Sequence, residues 1–296
     1  MLEFSKNLRD FKKEVGQLNH FLITIEVALK NVNSNTVVPG YFNTTWNPQN
    51  WQQSVHRSEQ WARKSALTYI CSAVEAYFES IFQKPSIIQQ ESLIEDYSAK
   101  VRRRGISPTI SWKMSKVNGC YQITQYEKDL VFIMIKWRNG LIHQLPDYSN
   151  FEDYQTIKNS LIDNKDMIYN NHCHLDIEEL LSSFEKREVP TFKETASMIK
   201  ATIDYVTQVD LAIVGNLDFA DYIKNALSIH FKDLEQNNLI RYNKYFQFDE
   251  DRKVRYLQTV LVESFRLKKE IFMNDSIVKQ VIQDIVKEGN IRGLEN

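Results

Sequence analysis

Phe4, Leu8, Phe11, Val15, Leu18, Leu22, Ile25, Leu29 and Val32 recur at alternating spacings of four and three. That stripe predicts an amphipathic helix over residues 3–32. It serves the domain's own core or, in the alternative, pairs with a second chain. The stretch NSNTVVPGYFNTTWNPQNW then interrupts the pattern with turn formers. Asn47-Pro48 has the form of an N-cap followed by proline at the first helical position. From Trp51 to Ile81 apolar residues keep helical spacing as far as Pro85, which predicts a rod of roughly 50 Å at 1.5 Å per residue.

Residues 86–98 predict a weaker helix. The run LVFIMI that follows later is short enough for a buried strand, but no partner strands are evident, so it is assigned to a buried helix. Residues 151–169 are predicted helical. Thr191 and Glu194 form a capping box after Pro190, opening a helix that stops at Gly215. Three further helices are predicted at about 218–236, 250–272 and 276–288, the last closed by Gly289. The fold class is therefore all-α. The division expected is 1–46 as amphipathic helix and linker, 47–215 as a helical domain, and 218–296 as a C-terminal helical region.

Composition narrows the function classes. With 43% hydrophobic residues the 296-residue chain can bury a core, and 8 Gly and 6 Pro are few for a β protein built on tight turns. Its longest apolar run, LVFIMI, is too short to span a bilayer. The N-terminus lacks a continuous apolar segment, so no signal peptide and no membrane are expected. Cys71, Cys120 and Cys173 are odd in number and widely spaced, which suits reduced thiols and a cytoplasmic setting. A balance of 37 basic against 38 acidic residues argues against a general nucleic-acid coat but leaves room for a local basic patch.

The candidate chemistry lies in KWRNGLIHQ, residues 136–144. Arg138 is a permanent cation with a fork of donors suited to phosphate, and His143 can take and give protons near neutral pH. Together they can cleave RNA without a metal. His143 would move the proton of the 2′-hydroxyl or of the leaving oxygen, and Arg138 would stabilise the charged transition state. On an ideal helix, however, five residues turn the two side chains about 140° apart. A helix end or kink near Gly140, or a facing motif from a symmetric partner chain, would bring such groups into one cleft.

Arg138-Asn139-x-x-x-His143 after a hydrophobic helix resembles the signature of the HEPN superfamily, an Arg and a His separated by four to six residues. WARKSALTYICSAVEAYFESIF, with Glu75 in an apolar setting, is similar to the early helix of that family, and the resemblance covers residues 50–215. It implies an α-helical bundle, usually dimeric, and a metal-independent endoribonuclease whose two Arg/His motifs meet at the dimer interface. It also implies a role as a toxin, abortive-infection protein or phage-defence effector, with an antitoxin or defence-system partner. By this resemblance His143 is the acid–base group, Arg138 the phosphate clamp and Asn139 a polar orienter. Glu75 is expected to buttress Arg138; in the alternative, Arg138 pairs with Glu75 or Asp129 inside the bundle and His143 is a cap residue. Some members carry Tyr two residues after the His; here that position is Leu145, which disfavours the nucleotidyltransferase-paired toxins.

Lys100, Arg102, Arg103, Arg104, Lys113 and Lys116 fall in the window 97–126, which contains no Asp or Glu and interleaves Tyr97, Trp112 and Tyr121. Cations for the phosphate backbone and rings for the bases make this the expected RNA-binding segment. The alternative is a solvated basic loop. ISPTISWKMSKVNG reads as a loop. His172-Cys173-His174 lacks a fourth ligand and is assigned to a loop or helix end, so no metal is expected. Glu79, one turn after Glu75, is expected to be solvated. Phosphate-binding and dinucleotide loops, the serine-hydrolase elbow and the HExxH zinc motif are absent from the sequence, and no cofactor is implied. The reading is an RNA-cleaving homodimer with a composite site, acting on cellular RNA such as tRNA; its rival is a non-catalytic helical module that binds a partner protein or nucleotide.

Overall fold

The computed structural model describes residues 4–121, 123–144, 151–265, 267 and 276–288. Among these the protein is all-α, with no strand. It divides into two units. The first comprises Met1–Asp10, Tyr77–Gln122 and Val209–Asn296; the second comprises Phe11–Ala76 and Ile123–Gln208. Among the described residues no helix is long and apolar enough to cross a membrane.

The expected helix over 3–32 is two helices, α1 (Lys6–Val15) and α2 (Leu18–Lys30). The break falls at Gly16, where a Cβ would lie 2.6 Å from the Lys12 carbonyl oxygen. Leu8, Phe11, Val15, Leu18 and Leu22 are buried as the stripe predicts. Beyond Leu22 the buried position moves to Glu26, while Ile25 turns outward. Arg63 neutralises Glu26 with two hydrogen bonds, from Nε at 2.6 Å and from Nη2 at 3.0 Å.

α3 (Trp51–Ser80) starts later than Asn47-Pro48 suggested. The Asn50 side chain accepts from the Gln53 backbone N–H at 2.9 Å and acts as the cap. In the second unit α6 (Gln125–His143) carries LVFIMI, with Leu130, Val131, Ile133, Met134, Ile135 and Trp137 all buried. Each such side chain contributes about 1.5–3 kcal/mol of burial. α7 (Tyr154–Asp163) packs on α6; α9 (Ile177–Glu185) packs on α7 and on the short α8 (Lys165–Asn171). The expected capping box is in place: the Thr191 N–H donates to Glu194 at 2.6 Å, and the Glu194 N–H donates to Thr191 Oγ1 at 3.2 Å. It opens α10 (Phe192–Gly215).

The first unit holds α4 (Glu91–Arg104), where 86–98 was expected, and α5 (Ile110–Cys120), where a loop was expected. Thr109 caps α5 by accepting from the Trp112 N–H at 3.4 Å, and Ile110, Met114 and Val117 supply its buried face. α11 (Phe219–Asn237), α12 (Leu239–Phe246), α13 (Glu250–Glu263) and α14 (Ser276–Glu288) complete the unit. α12 and α9 were not anticipated, and α13 ends at Glu263; residues 268–272 and Gly289 lie outside the described residues. The core here is aromatic, with Tyr245 4.7 Å from Phe231 and 5.4 Å from Tyr256 between ring centres.

Candidate functional site

Trp137 anchors the end of α6: its ring is fully buried and its Nε1–H donates to the Glu188 carbonyl at 2.9 Å. That fixes the direction of its neighbour. Arg138 reaches α3, where Nη2 donates to Glu75 Oε1 at 2.8 Å. The pair is lopsided: the Arg138 side chain is 13% exposed and the Glu75 side chain 47%. Glu75 therefore sits at the surface rather than in the apolar setting the sequence suggested. One turn earlier on α3 the buried Cys71 thiol lies against the same guanidinium. Burial pushes that thiol up to about 11, with Arg138 pulling the other way. Burial also works against the Arg138 cation, but Cys71 and Glu75 outweigh it and raise its pKa.

α6 continues as α-helix through Gly140 and ends at His143, with Gln144 in the left-handed region at φ 51°. The separation of about 140° expected for five helical residues therefore holds. Asn139 is half-buried and His143 exposed. Among the described residues His143 makes no hydrogen bond or ion pair. Leu145 lies outside the described residues.

The basic segment belongs to the first unit, and its cations differ in kind. Lys113 is buried and ion-paired to Glu79, which corrects its assignment to RNA binding. Glu79 also accepts from Tyr97 at 2.7 Å and Ser107 at 2.5 Å. Burial would raise the Glu79 pKa, but Lys113, Ser107 and Tyr97 outweigh it and lower it. Glu79 is thus the hub of a network, not the solvated partner of Glu75. Lys116 donates to Asp96 at 2.5 Å. Lys100 and Lys116 lie 4.7 and 5.9 Å from the centre of the Trp112 ring, so a stacking base would compete with them. Arg102 and Arg103 are exposed, without a hydrogen bond or ion pair among the described residues. The Arg104 side chain lies outside the described residues.

His172-Cys173-His174 closes α8. Cys173 and His174 both adopt positive φ, at 55° and 57°, and His172 is fully buried. Its Nε2 lies 3.9 Å from Glu127 Oε1 and its Nδ1 3.8 Å from Asp204 Oδ2. Burial, reinforced by Asp204, raises Glu127 to about 7. Burial and the Lys200 cation lower His172. Sequence reasoning missed this cluster; its one signal was an acidic residue, Glu127, three positions before the apolar run. Among the described residues no group of three His, Cys, Asp or Glu is placed to hold a metal.

No family model, no curated protein and no solved structure matches the chain.

Proposed function

We propose that the protein is a metal-independent endoribonuclease of HEPN type, working as a homodimer in the cytoplasm as a toxin or anti-phage effector. The observation that supports this reading most is His143: an exposed imidazole with no hydrogen bond or ion pair among the described residues, on the last turn of a helix whose Arg138 is held in place by Glu75. In this reading His143 moves the proton of the 2′-hydroxyl, the 2′-oxygen attacks phosphorus, and the 5′-oxygen leaves with a proton. Arg138 stabilises the extra negative charge. The products are a 2′,3′-cyclic phosphate and a 5′-hydroxyl. Because the two side chains diverge on one helix, the site takes its second Arg/His pair from the partner copy. Arg102 and Arg103 are the cations most available to hold the RNA backbone, since they are exposed and no ion pair occupies them among the described residues.

A second reading is favoured by the Arg138–Glu75 pair: a non-catalytic module in which Arg138 is structural, binding a partner protein or nucleotide. Incubation with tRNA and a long RNA in EDTA, beside His143→Ala, separates the two. The nuclease reading expects cleavage with cyclic-phosphate ends that the variant abolishes. Cleavage unchanged in the variant, or dependent on a divalent metal, overturns it.

A further inference from the structure

α2 is apolar on more sides than one core needs. Phe21, Ile23, Ile25 and Val27 are all exposed although Leu18 and Leu22 face inward. Phe21 and Ile25 flank a hollow of ≈ 240 Å³ between α2 and α3, lined also by Leu18, Trp61, Tyr69 and Glu14. Three aromatic rings from two helices thus share one small apolar space. Trp61 is 70% exposed. Tyr69 is held by its hydroxyl, which donates to the Glu14 carbonyl at 3.2 Å.

The charge at this hollow is negative and uncompensated. Glu14 is the one charged residue among those lining it. Its carboxylate makes no hydrogen bond or ion pair among the described residues, whereas the nearby Glu26 is neutralised by Arg63. Aromatic faces attract cations, tryptophan most strongly, and combine with a carboxylate to bind ammonium groups that carry apolar substituents. The volume suits a ring and a few methyl groups rather than a peptide helix.

We infer that this hollow binds a small organic cation with an apolar body, of the quaternary-ammonium kind. The apolar body fills the space over Leu18 and Ile25, and the ammonium lies between the Trp61 ring and the Glu14 carboxylate. This site is independent of Arg138 and His143.

Titration calorimetry with the full chain tests the assignment, using 4-phenylbutyltrimethylammonium, the neutral 4-phenylbutanol and the anionic 4-phenylbutyrate. The cation is expected to bind roughly tenfold or more tightly than the alcohol, and the anion most weakly. Glu14→Gln is expected to bring the cation close to the alcohol, and Trp61→Leu to weaken the cation more than the alcohol. Both substitutions are at exposed positions, and an unchanged melting temperature checks that the fold is intact. Equal binding of cation and alcohol, indifference to Glu14→Gln, or no heat with any probe at millimolar concentration overturns the proposal.

Discussion

Glu127 Oε1 and His172 Nε2 face each other at 3.9 Å, and both residues are closed off from water. Asp204 lies on the other side of the ring at 3.8 Å, with the Lys200 ammonium 2.7 Å from Asp204. Tyr126 and Gln208 complete the surroundings of Glu127. A carboxyl that burial keeps protonated and an imidazole that burial keeps deprotonated therefore share one space. Burial favours the neutral form of each.

The pH dependence follows from the two shifts. Glu127 is raised from 4.5 to about 7, so its contribution to stability is present below about 4.5 and is lost as pH rises to about 7. His172 is lowered from 6.5, so its contribution is present above 6.5 and is lost as pH falls through the folded value. The slopes oppose each other in mild acid, and between 6.5 and 7 the Glu127 slope stands alone. Glu127→Gln is expected to stabilise the protein by roughly 1–3 kcal/mol more at pH 8 than at pH 5. Denaturant unfolding at the two pH values measures this; an equal effect at both would remove Glu127 as the titrating group.

Lys113 and the exposed arginines are expected to behave in opposite ways. Lys113→Ala leaves the Glu79 carboxylate without its cation and should cost about 2–3 kcal/mol, below the full penalty for a buried pair because Glu79 is partly exposed. Arg102→Ala with Arg103→Ala should leave stability within about 0.5 kcal/mol while weakening RNA binding and flattening its salt dependence. Thermal melts beside RNA titrations at two salt concentrations distinguish them. A Lys113 variant that melts like the parent but loses RNA would restore it as a binding residue.

These two cases show what the sequence carried and what it did not. The helical class was legible because Leu8, Phe11, Val15 and the apolar residues of α3 repeat at helical spacing. Thr191 and Glu194 announced α10 because both partners lie within one turn. α5 was hidden by the turn formers Ser107 and Pro108, although Ile110, Met114 and Val117 already carried its apolar face. The network around Lys113 was invisible for another reason. The window 97–126 is free of acid, and the balancing carboxylate, Glu79, comes from 34 residues earlier in the chain. Likewise His172 and Glu127 meet only through the packing of α8 and α10 beside α6. Local patterns fix elements; pairing across elements decides which charged residues remain available.

The three thiols are expected to separate by reactivity. Cys71 is buried and pushed up to about 11, while Cys120 and Cys173 are exposed. Since the thiolate is the nucleophile, a disulfide reagent at pH 8 should label two cysteines in the folded protein and the third only on denaturation. Mass mapping identifies them. Rapid labelling of Cys71 in the folded state would mean that α3 opens at the Arg138 contact.

Glu75 and His143 offer the sharpest separation of structure from chemistry. The Arg138–Glu75 bond is made at a half-exposed carboxylate, so Glu75→Gln should cost only about 0.2–1 kcal/mol. His143→Ala removes an exposed side chain and should leave stability within about 0.5 kcal/mol. If Arg138 acts as a phosphate clamp, Glu75→Gln releases its donor fork and tightens binding of a non-cleavable RNA carrying a 2′-deoxy substitution. If Arg138 is structural, that affinity stays as it was. Because neither variant is expected to unfold the protein, a change in RNA affinity or cleavage reports on the phosphate site itself. Unchanged affinity in Glu75→Gln together with unchanged RNA cleavage in His143→Ala would place both residues outside any catalytic role.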